Sequence, residues 1–172
     1  MRRSGVLLPV TSLPSRFGIG TFSKEAYAFV DFLKEAGQKL WQILPLGPTG
    51  YGDSPYQAFS TFAGNPYLID LEELIENGWL TEEECENTDW GGSKSYVDYE
   101  KMYQGRFPLL RKAYHNSHIA ENAEFIAFCE ENDWWLSDYA LFMAIKDSQG
   151  GASFLEWDAP LKLREPEAIR RC

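Results

Sequence analysis

Gly5-Val6-Leu7-Leu8-Pro9-Val10 is a continuous apolar run near the start of the chain. A run without polar alternation is typical of a parallel strand that is buried on both faces. A second run of the same kind, Leu40-Trp41-Gln42-Ile43-Leu44, follows further along the sequence. The two runs predict a pair of parallel strands, which requires a crossover connection between them.

The segment between the two runs predicts a loop followed by a helix. Residues 11–20 are rich in turn formers. Ser23 can then cap a helix that Gly37 ends. Strand, helix and strand form a βαβ unit with a right-handed crossover, so the loops after both strands lie on one side of the sheet. Binding groups collect there, and the long second loop, residues 45–65, is therefore expected to be functional.

From Asp70 onward the pattern predicts helices. Asp70 with Glu73, and Thr81 with Glu84, have the spacing of a capping box. Longer helices are predicted over residues 99–115, 120–132 and 134–149. The signals of a further helix start stand close to the last residue, and the two strands have no partners for their outer edges. These two observations together predict a truncated protein.

The composition argues against several classes of function. The net charge of −10 and the pI of about 4.7 would repel nucleic acid and anionic membranes, and no segment is long enough to span a bilayer. The three cysteines are odd in number and widely spaced, which favours a reducing cytoplasm over a disulfide framework. His115 and His118 have no evident third partner for a metal, so neither a metal nor another cofactor is expected.

The loop after the second run suits a neutral ligand with many hydroxyl groups. It carries glycines after a strand, but it has no Gly-Lys-Ser/Thr sequence and no basic residue to meet a phosphate. It does hold two tyrosines, Asp53 and Ser54 on a backbone rich in Gly and Pro. Aromatic residues make up 15% of the chain, and tyrosine rings fit the C–H faces and hydroxyls of sugars.

Three other features have more ordinary interpretations. Asp53 and Asp70 are the acids near the two strand-end loops, and either could be a catalytic carboxylate. Asp70 is better explained as a helix cap and Asp53 as a turn residue. The aromatic pair Trp134-Trp135 is interpreted as core packing rather than as a sugar platform.

Several stretches of this sequence closely resemble the bacterial amylomaltases, which are 4-α-glucanotransferases. The resemblance covers nearly the whole chain. It is carried by LPVTSLPS and FGIG in residues 8–20, WQILPLGPTGYGDSPYQ in residues 41–57, FAGNP in residues 62–66, VDY in residues 97–99 and WWLSDYALFMA in residues 134–144.

The resemblance implies a (β/α)₈ barrel with helical subdomains inserted after its second strand. Such a barrel needs about 250 residues, so it would not be closed in this chain. Residues 1–70 would form the start of the barrel with its glucan-binding loops. Residues 71–172 would form a mainly helical inserted subdomain, truncated at its C-terminus.

The resemblance also implies an activity, the transfer of α-1,4-glucan segments between maltodextrins by a retaining mechanism that uses two carboxyl groups. In the family these carboxyls lie on later strands, so no catalytic residue is expected in this chain. Tyr56 and Ser54 would line the donor sugar site, and Tyr51 and Tyr103 would bind glucan away from it. An α-amylase-type hydrolase and a non-catalytic glucan-binding module remain as alternatives.

Overall fold

The computed structural model describes residues 2–50, 52–93 and 95–171. The chain forms two compact units, Met1–Ile119 and Ala120–Cys172. No helix within the described residues is long and apolar enough to cross a membrane. The division at residue 70 that the sequence predicts concerns the implied barrel and stays a prediction.

The first unit begins with the predicted βαβ arrangement. Strand β1 (Gly5–Leu7) and strand β2 (Leu40–Gln42) pair in parallel, with Gly5 opposite Leu40, and helix α1 (Lys24–Glu35) connects them. Ser23 occupies the N-cap position, and Gly37 follows the helix with a left-handed φ of 70°. The parallel pair and its crossover helix are therefore confirmed.

The strands are shorter and more exposed than the sequence predicts. Leu7 keeps 56% of its surface exposed, so burial on both faces is wrong for the strands of the described sheet. Burial starts beyond β1 instead, where Val10 is only 2% exposed. The apolar run reflects packing after the strand end, where Val10 and Leu13 form a small core with Ala26 of α1.

Three helices complete the main core of the first unit, namely α2 (Leu71–Glu76), α3 (Glu82–Glu86) and α4 (Tyr99–Ser117). The capping box of Thr81 and Glu84 is confirmed, whereas Asp70 caps α2 by accepting a hydrogen bond from the backbone N–H of Glu72. Helix α4 is continuous through a proline at its tenth position. The core holds Phe17, Leu71, Leu80, Cys85, Leu109 and Ala113.

The second unit is built on one long helix where the sequence predicts two. Helix α5 (Ala123–Ser148) runs unbroken for 26 residues. The polar residues at the expected break fit a helix, because the Asn132 side chain donates to the Phe128 carbonyl and accepts from the Trp135 ring nitrogen. Trp134 is 67% exposed, so its interpretation as core is wrong. Two short helices follow, α6 (Ala159–Lys162) and α7 (Pro166–Ile169).

Candidate functional site

The loop after β1 is part of the core of the first unit. The backbone N–H of Gly20 donates to the carbonyl of Thr11 at 3.1 Å, which closes the loop on itself. Leu13 and Ile19 inside it are buried. The loop is therefore closely packed. It lies at the edge of the sheet from which both strand-end loops leave.

Arg106 of α4, which is fully buried, holds the loop after β1 in place by hydrogen bonds. Its guanidinium donates to the carbonyl of Phe17 at 3.5 Å and to the carbonyl of Ile69, just before α2. Burial lowers the pKa of Arg106 to about 10, although the nearby Asp70 carboxylate acts in the opposite direction. The side chain remains the cationic donor that two carbonyls from different segments require.

The loop after β2 is a surface loop that hydrogen bonds hold closed. The backbone N–H of Asn65 donates to the carbonyl of Leu46 at 2.8 Å across its base. An antiparallel bridge between Thr49 and Ala58 narrows it further out. Its ends are therefore close together, as in an Ω-loop, and Tyr56 near its tip is exposed.

Two of the predicted site residues lie together at the tip of this loop. The backbone N–H of Tyr56 donates to the Ser54 hydroxyl at 3.4 Å, and Gln57 closes the turn by donating to the Ser54 carbonyl at 3.0 Å. Tyr56 is 73% exposed, so its ring is free to meet a ligand. Tyr51, the third predicted residue of the loop, lies outside the described residues.

Tyr103, the remaining predicted residue, lies on α4. It is 58% exposed and packs edge-to-face on Phe107 with ring centroids 5.3 Å apart. Phe107 in turn contacts the buried ring of Tyr67 at 5.8 Å, and Tyr67 contacts Tyr99 at 6.1 Å. Tyr103 is thus the exposed end of a row of aromatic rings. Tyr67, which lies just after the β2 loop, belongs to this row and packs the end of that loop against α4.

A cavity of about 120 Å³ lies beneath the β2 loop. Its polar lining comes from Thr11 of the β1 loop, from Thr49, Asp53 and Asn65 of the β2 loop, and from Tyr99 of α4. This volume corresponds to about four water molecules at about 30 Å³ each. At this size the cavity leaves no room for a glucan chain.

Burial changes the protonation behaviour of the groups around the cavity. It raises the pKa of the Asp53 carboxyl, an effect that the Thr49 hydroxyl partly offsets by donating to it. Burial and the charge of Asp53 raise the pKa of Tyr67 to about 12 and also raise the pKa of Tyr99. All three groups therefore favour their neutral forms more than they would in water.

Sequence reasoning missed Arg106, Tyr67 and Tyr99 and interpreted Asp53 only as a turn residue. A signal for Arg106 was present, because it shares a helical face with Met102, Leu109 and Ala113, all of which are buried. The Tyr67 and Tyr99 positions offered no local signal, since their role depends on contact between α4 and the β2 loop region.

Together these features define a class of protein: an α/β protein in which hydroxyl and aromatic groups lie at one edge of the sheet, beyond two parallel strands. Residues 8–172 match the family model of glycoside hydrolase family 77, described as 4-alpha-glucanotransferase. The chain therefore belongs to the 4-alpha-glucanotransferase family.

Individual relatives agree with this assignment. The chain is 49% identical over 173 residues to a 4-alpha-glucanotransferase of Thermus thermophilus, covering 98% of the chain and 34% of the relative. It is 47% identical over 162 residues to one of Clostridium butyricum, covering 94% of the chain and 33% of the relative. Among solved structures, an amylomaltase from Streptococcus agalactiae in complex with acarbose matches with a TM-score of 0.90 and 46% identity, covering 99% of this chain and 35% of that chain. The chain thus spans about a third of the length of the relatives it matches.

Proposed function

We propose that the protein at its natural length is a 4-α-glucanotransferase that transfers α-1,4-glucan segments between maltodextrins. The observation that carries this proposal is the close similarity of nearly the whole chain to an amylomaltase bound to acarbose. In the proposed architecture, β1, α1 and β2 begin a (β/α)₈ barrel, and residues 71–172 belong to a helical insertion.

The proposed reaction retains the configuration at the anomeric carbon through two displacements. A carboxylate first attacks the anomeric carbon while a carboxylic acid protonates the departing glucan oxygen. In the second displacement, the group that gave up its proton takes a proton from the 4-hydroxyl of an acceptor sugar. The oxygen of that hydroxyl then displaces the first carboxylate from the anomeric carbon. We assign neither carboxyl to this chain, because Asp70 is engaged as a cap and Asp53 of the β2 loop lines the small cavity beneath that loop.

In this proposal the chain supplies binding groups. The Tyr56 ring covers the C–H face of the donor sugar, and the Ser54 hydroxyl next to it bonds to sugar hydroxyls. The exposure of Tyr56 and the hydrogen bond between its N–H and Ser54 support this assignment. Tyr103, together with Tyr51, would bind a glucan segment away from the reacting bond, which the exposure of Tyr103 supports.

The remaining parts of the proposal concern partners and location. The substrates are malto-oligosaccharides and other α-1,4-glucans, with no metal, cofactor or nucleic acid involved. The net charge of −10 supports the absence of a nucleic-acid partner. A cytoplasmic location is proposed from the cysteine pattern, which includes a buried free thiol at Cys85.

Incubation of the protein at its natural length with maltotriose tests the activity. Glucose together with dextrins longer than maltotriose is the expected result. Glucose and maltose alone would indicate a hydrolase, and unchanged maltotriose would indicate a binding module. The 172-residue chain is the control, and we expect no turnover from it because it matches none of the family's carboxylate motifs.

A further inference from the structure

We propose that Asp53 is a positioning residue that holds the β2 loop in the shape in which Ser54 and Tyr56 meet the sugar. This inference rests on the proposed function, since it assigns a supporting role within the same site. Asp53 does not touch the reacting atoms in this proposal. It acts through the turn that directly follows it.

The backbone at Asp53 has an uncommon conformation that starts this turn. Its φ of 52° is in the left-handed region, which among residues with a Cβ is best tolerated by Asn and Asp. Its N–H donates to the carbonyl of Gly50 at 3.1 Å, and the turn that holds Ser54 and Tyr56 begins at the next residue. A change of backbone direction at Asp53 would therefore redirect both site residues.

The Asp53 side chain ties the turn to the opposite side of the loop. Its Oδ1 accepts a hydrogen bond from the Thr49 hydroxyl at 3.5 Å, and Thr49 is also the residue that bridges to Ala58. One threonine thus connects the two sides of the loop to the start of the turn. This arrangement fixes the tip without any packing of the Tyr56 ring, which is mostly exposed.

The burial of Asp53 distinguishes it from an ordinary turn residue. A turn aspartate normally keeps its carboxylate in water. The Asp53 carboxyl instead lines the cavity beside Thr11 and Tyr99, and burial raises its pKa. Within residues 2–50, 52–93 and 95–171, no ion pair compensates this burial. A partly buried carboxyl without an ion-pair partner among the described residues, placed within the candidate binding loop itself, points to a role in that loop.

Paired substitutions in the protein at its natural length test this role. Asp53→Asn keeps the left-handed backbone and an oxygen that accepts from Thr49, whereas Asp53→Gly keeps only the backbone freedom. Thr49→Ser keeps the hydroxyl and Thr49→Val removes it. The measurements are kcat and KM for maltotriose disproportionation, the Kd of maltoheptaose by calorimetry and the melting temperature.

Asp53→Gly and Thr49→Val should each lower kcat about tenfold and raise the Kd of maltoheptaose about threefold, with melting temperatures within a few degrees of wild type. Asp53→Asn and Thr49→Ser should stay within about twofold of wild type in both quantities. The double variant Asp53→Gly, Thr49→Val should lose no more than either single variant, because both remove the same hydrogen bond.

The outcomes separate the two proposals. If wild type is active and Asp53→Gly is equally active, the role of Asp53 is overturned and the transferase proposal stands. If wild type is inactive but binds maltoheptaose, and Asp53→Gly binds it threefold more weakly, the transferase is overturned and the role of Asp53 is supported. Wild type that neither reacts nor binds overturns both. Independent, additive losses in the double variant would also contradict the shared hydrogen bond.

Discussion

The loops after β1 and β2 leave the same edge of the same two-stranded sheet, yet they play opposite parts in the molecule. The β1 loop buries Leu13, Phe17 and Ile19 and is fastened by Arg106 from α4. The β2 loop keeps Tyr56 exposed and closes itself through its own backbone and Thr49. Both loop segments are rich in turn formers. Turn-forming residues alone therefore did not distinguish the buried loop from the loop that exposes an aromatic side chain.

The difference shows how a packed loop can support a loop with an exposed aromatic side chain. The β1 loop contributes Thr11 to the cavity beneath the β2 loop, so the packed loop lies under the exposed one. Substitutions in the first should therefore change stability, and substitutions at the tip of the second should change activity.

The largest effect should come from Gly20→Ala in the β1 loop. An added Cβ would stand 2.2 Å from the carbonyl oxygen of Val10 and 2.7 Å from the backbone nitrogen of Leu13, and backbone atoms cannot move aside easily. The free energy of unfolding should fall by about 3 kcal/mol or more. Urea unfolding of the chain measures it.

Gly64→Ala in the β2 loop is the matched control. Nothing lies within 4 Å of its added Cβ, and its φ is outside the left-handed region. Its free energy of unfolding should be unchanged or up to about 1 kcal/mol higher. Equal losses from the two substitutions would contradict the contrast between the loops.

The next effect concerns Tyr56 in the protein at its natural length. Tyr56→Ala should lower kcat about 100-fold, which corresponds to about 2.7 kcal/mol of transition-state stabilisation, and Tyr56→Phe should lower it only a few-fold. The free energy of unfolding should change by less than about 0.5 kcal/mol, because the side chain is mostly exposed. Kinetics and unfolding are measured on the same preparations.

Tyr27 on α1 provides a control of nearly equal exposure, 74% against 73% for Tyr56. Tyr27→Ala should leave kcat at the wild-type value. A Tyr56→Ala variant with normal kcat and a lower melting temperature would instead mean that Tyr56 packs the loop and has no part in the sugar site.

The smallest effect, a change in the pH dependence of stability, should appear at Tyr67, which lies just after the β2 loop and contacts α4. Burial, with the charge of Asp53, raises its pKa to about 12 from an ordinary value of 10. Between pH 10 and 12 the phenol ionises in the unfolded chain first, so stability present below pH 10 is lost as the pH rises through this window. Tyr67→Phe should remove that loss, on the order of 1 kcal/mol by pH 11.

Urea unfolding of wild type and Tyr67→Phe at pH 9 and pH 11 makes this measurement. Arg106 and Tyr99 titrate in both proteins, so the difference reports the Tyr67 phenol together with its charge coupling to these two groups. Identical pH dependence of the two proteins would mean that the Tyr67 hydroxyl is hydrated in the folded state.

Local patterns in the sequence predicted the elements that local forces determine. The two apolar runs indicated the parallel strands, Ser23 and Gly37 indicated the limits of α1, and Gly and Pro indicated the long β2 loop. Helix α5 was divided wrongly because Asn132 and its neighbours were interpreted as a break, although their side chains bond within one helix.

The remaining features depend on contacts between distant segments. Burial of the β1 loop requires Arg106, and desolvation of Asp53 requires α4 to bring Tyr99 to the cavity. The predicted site residues Ser54, Tyr56 and Tyr103 were chosen from family resemblance, and their part in binding stays a prediction. The supporting roles of Tyr67 and Tyr99 could be found only once the helix was placed.

The position of Arg106 also sets an order of events during synthesis of the chain. Phe17 and Arg106 are separated by 89 residues, so the β1 loop emerges long before the side chain that fastens it. At about 5–20 residues per second, roughly 4 to 18 seconds pass between the two. During this interval the apolar side chains of the β1 loop have no partner from α4. Phe17 and Ile19, which α4 covers in the folded chain, therefore lack that cover until α4 has been added.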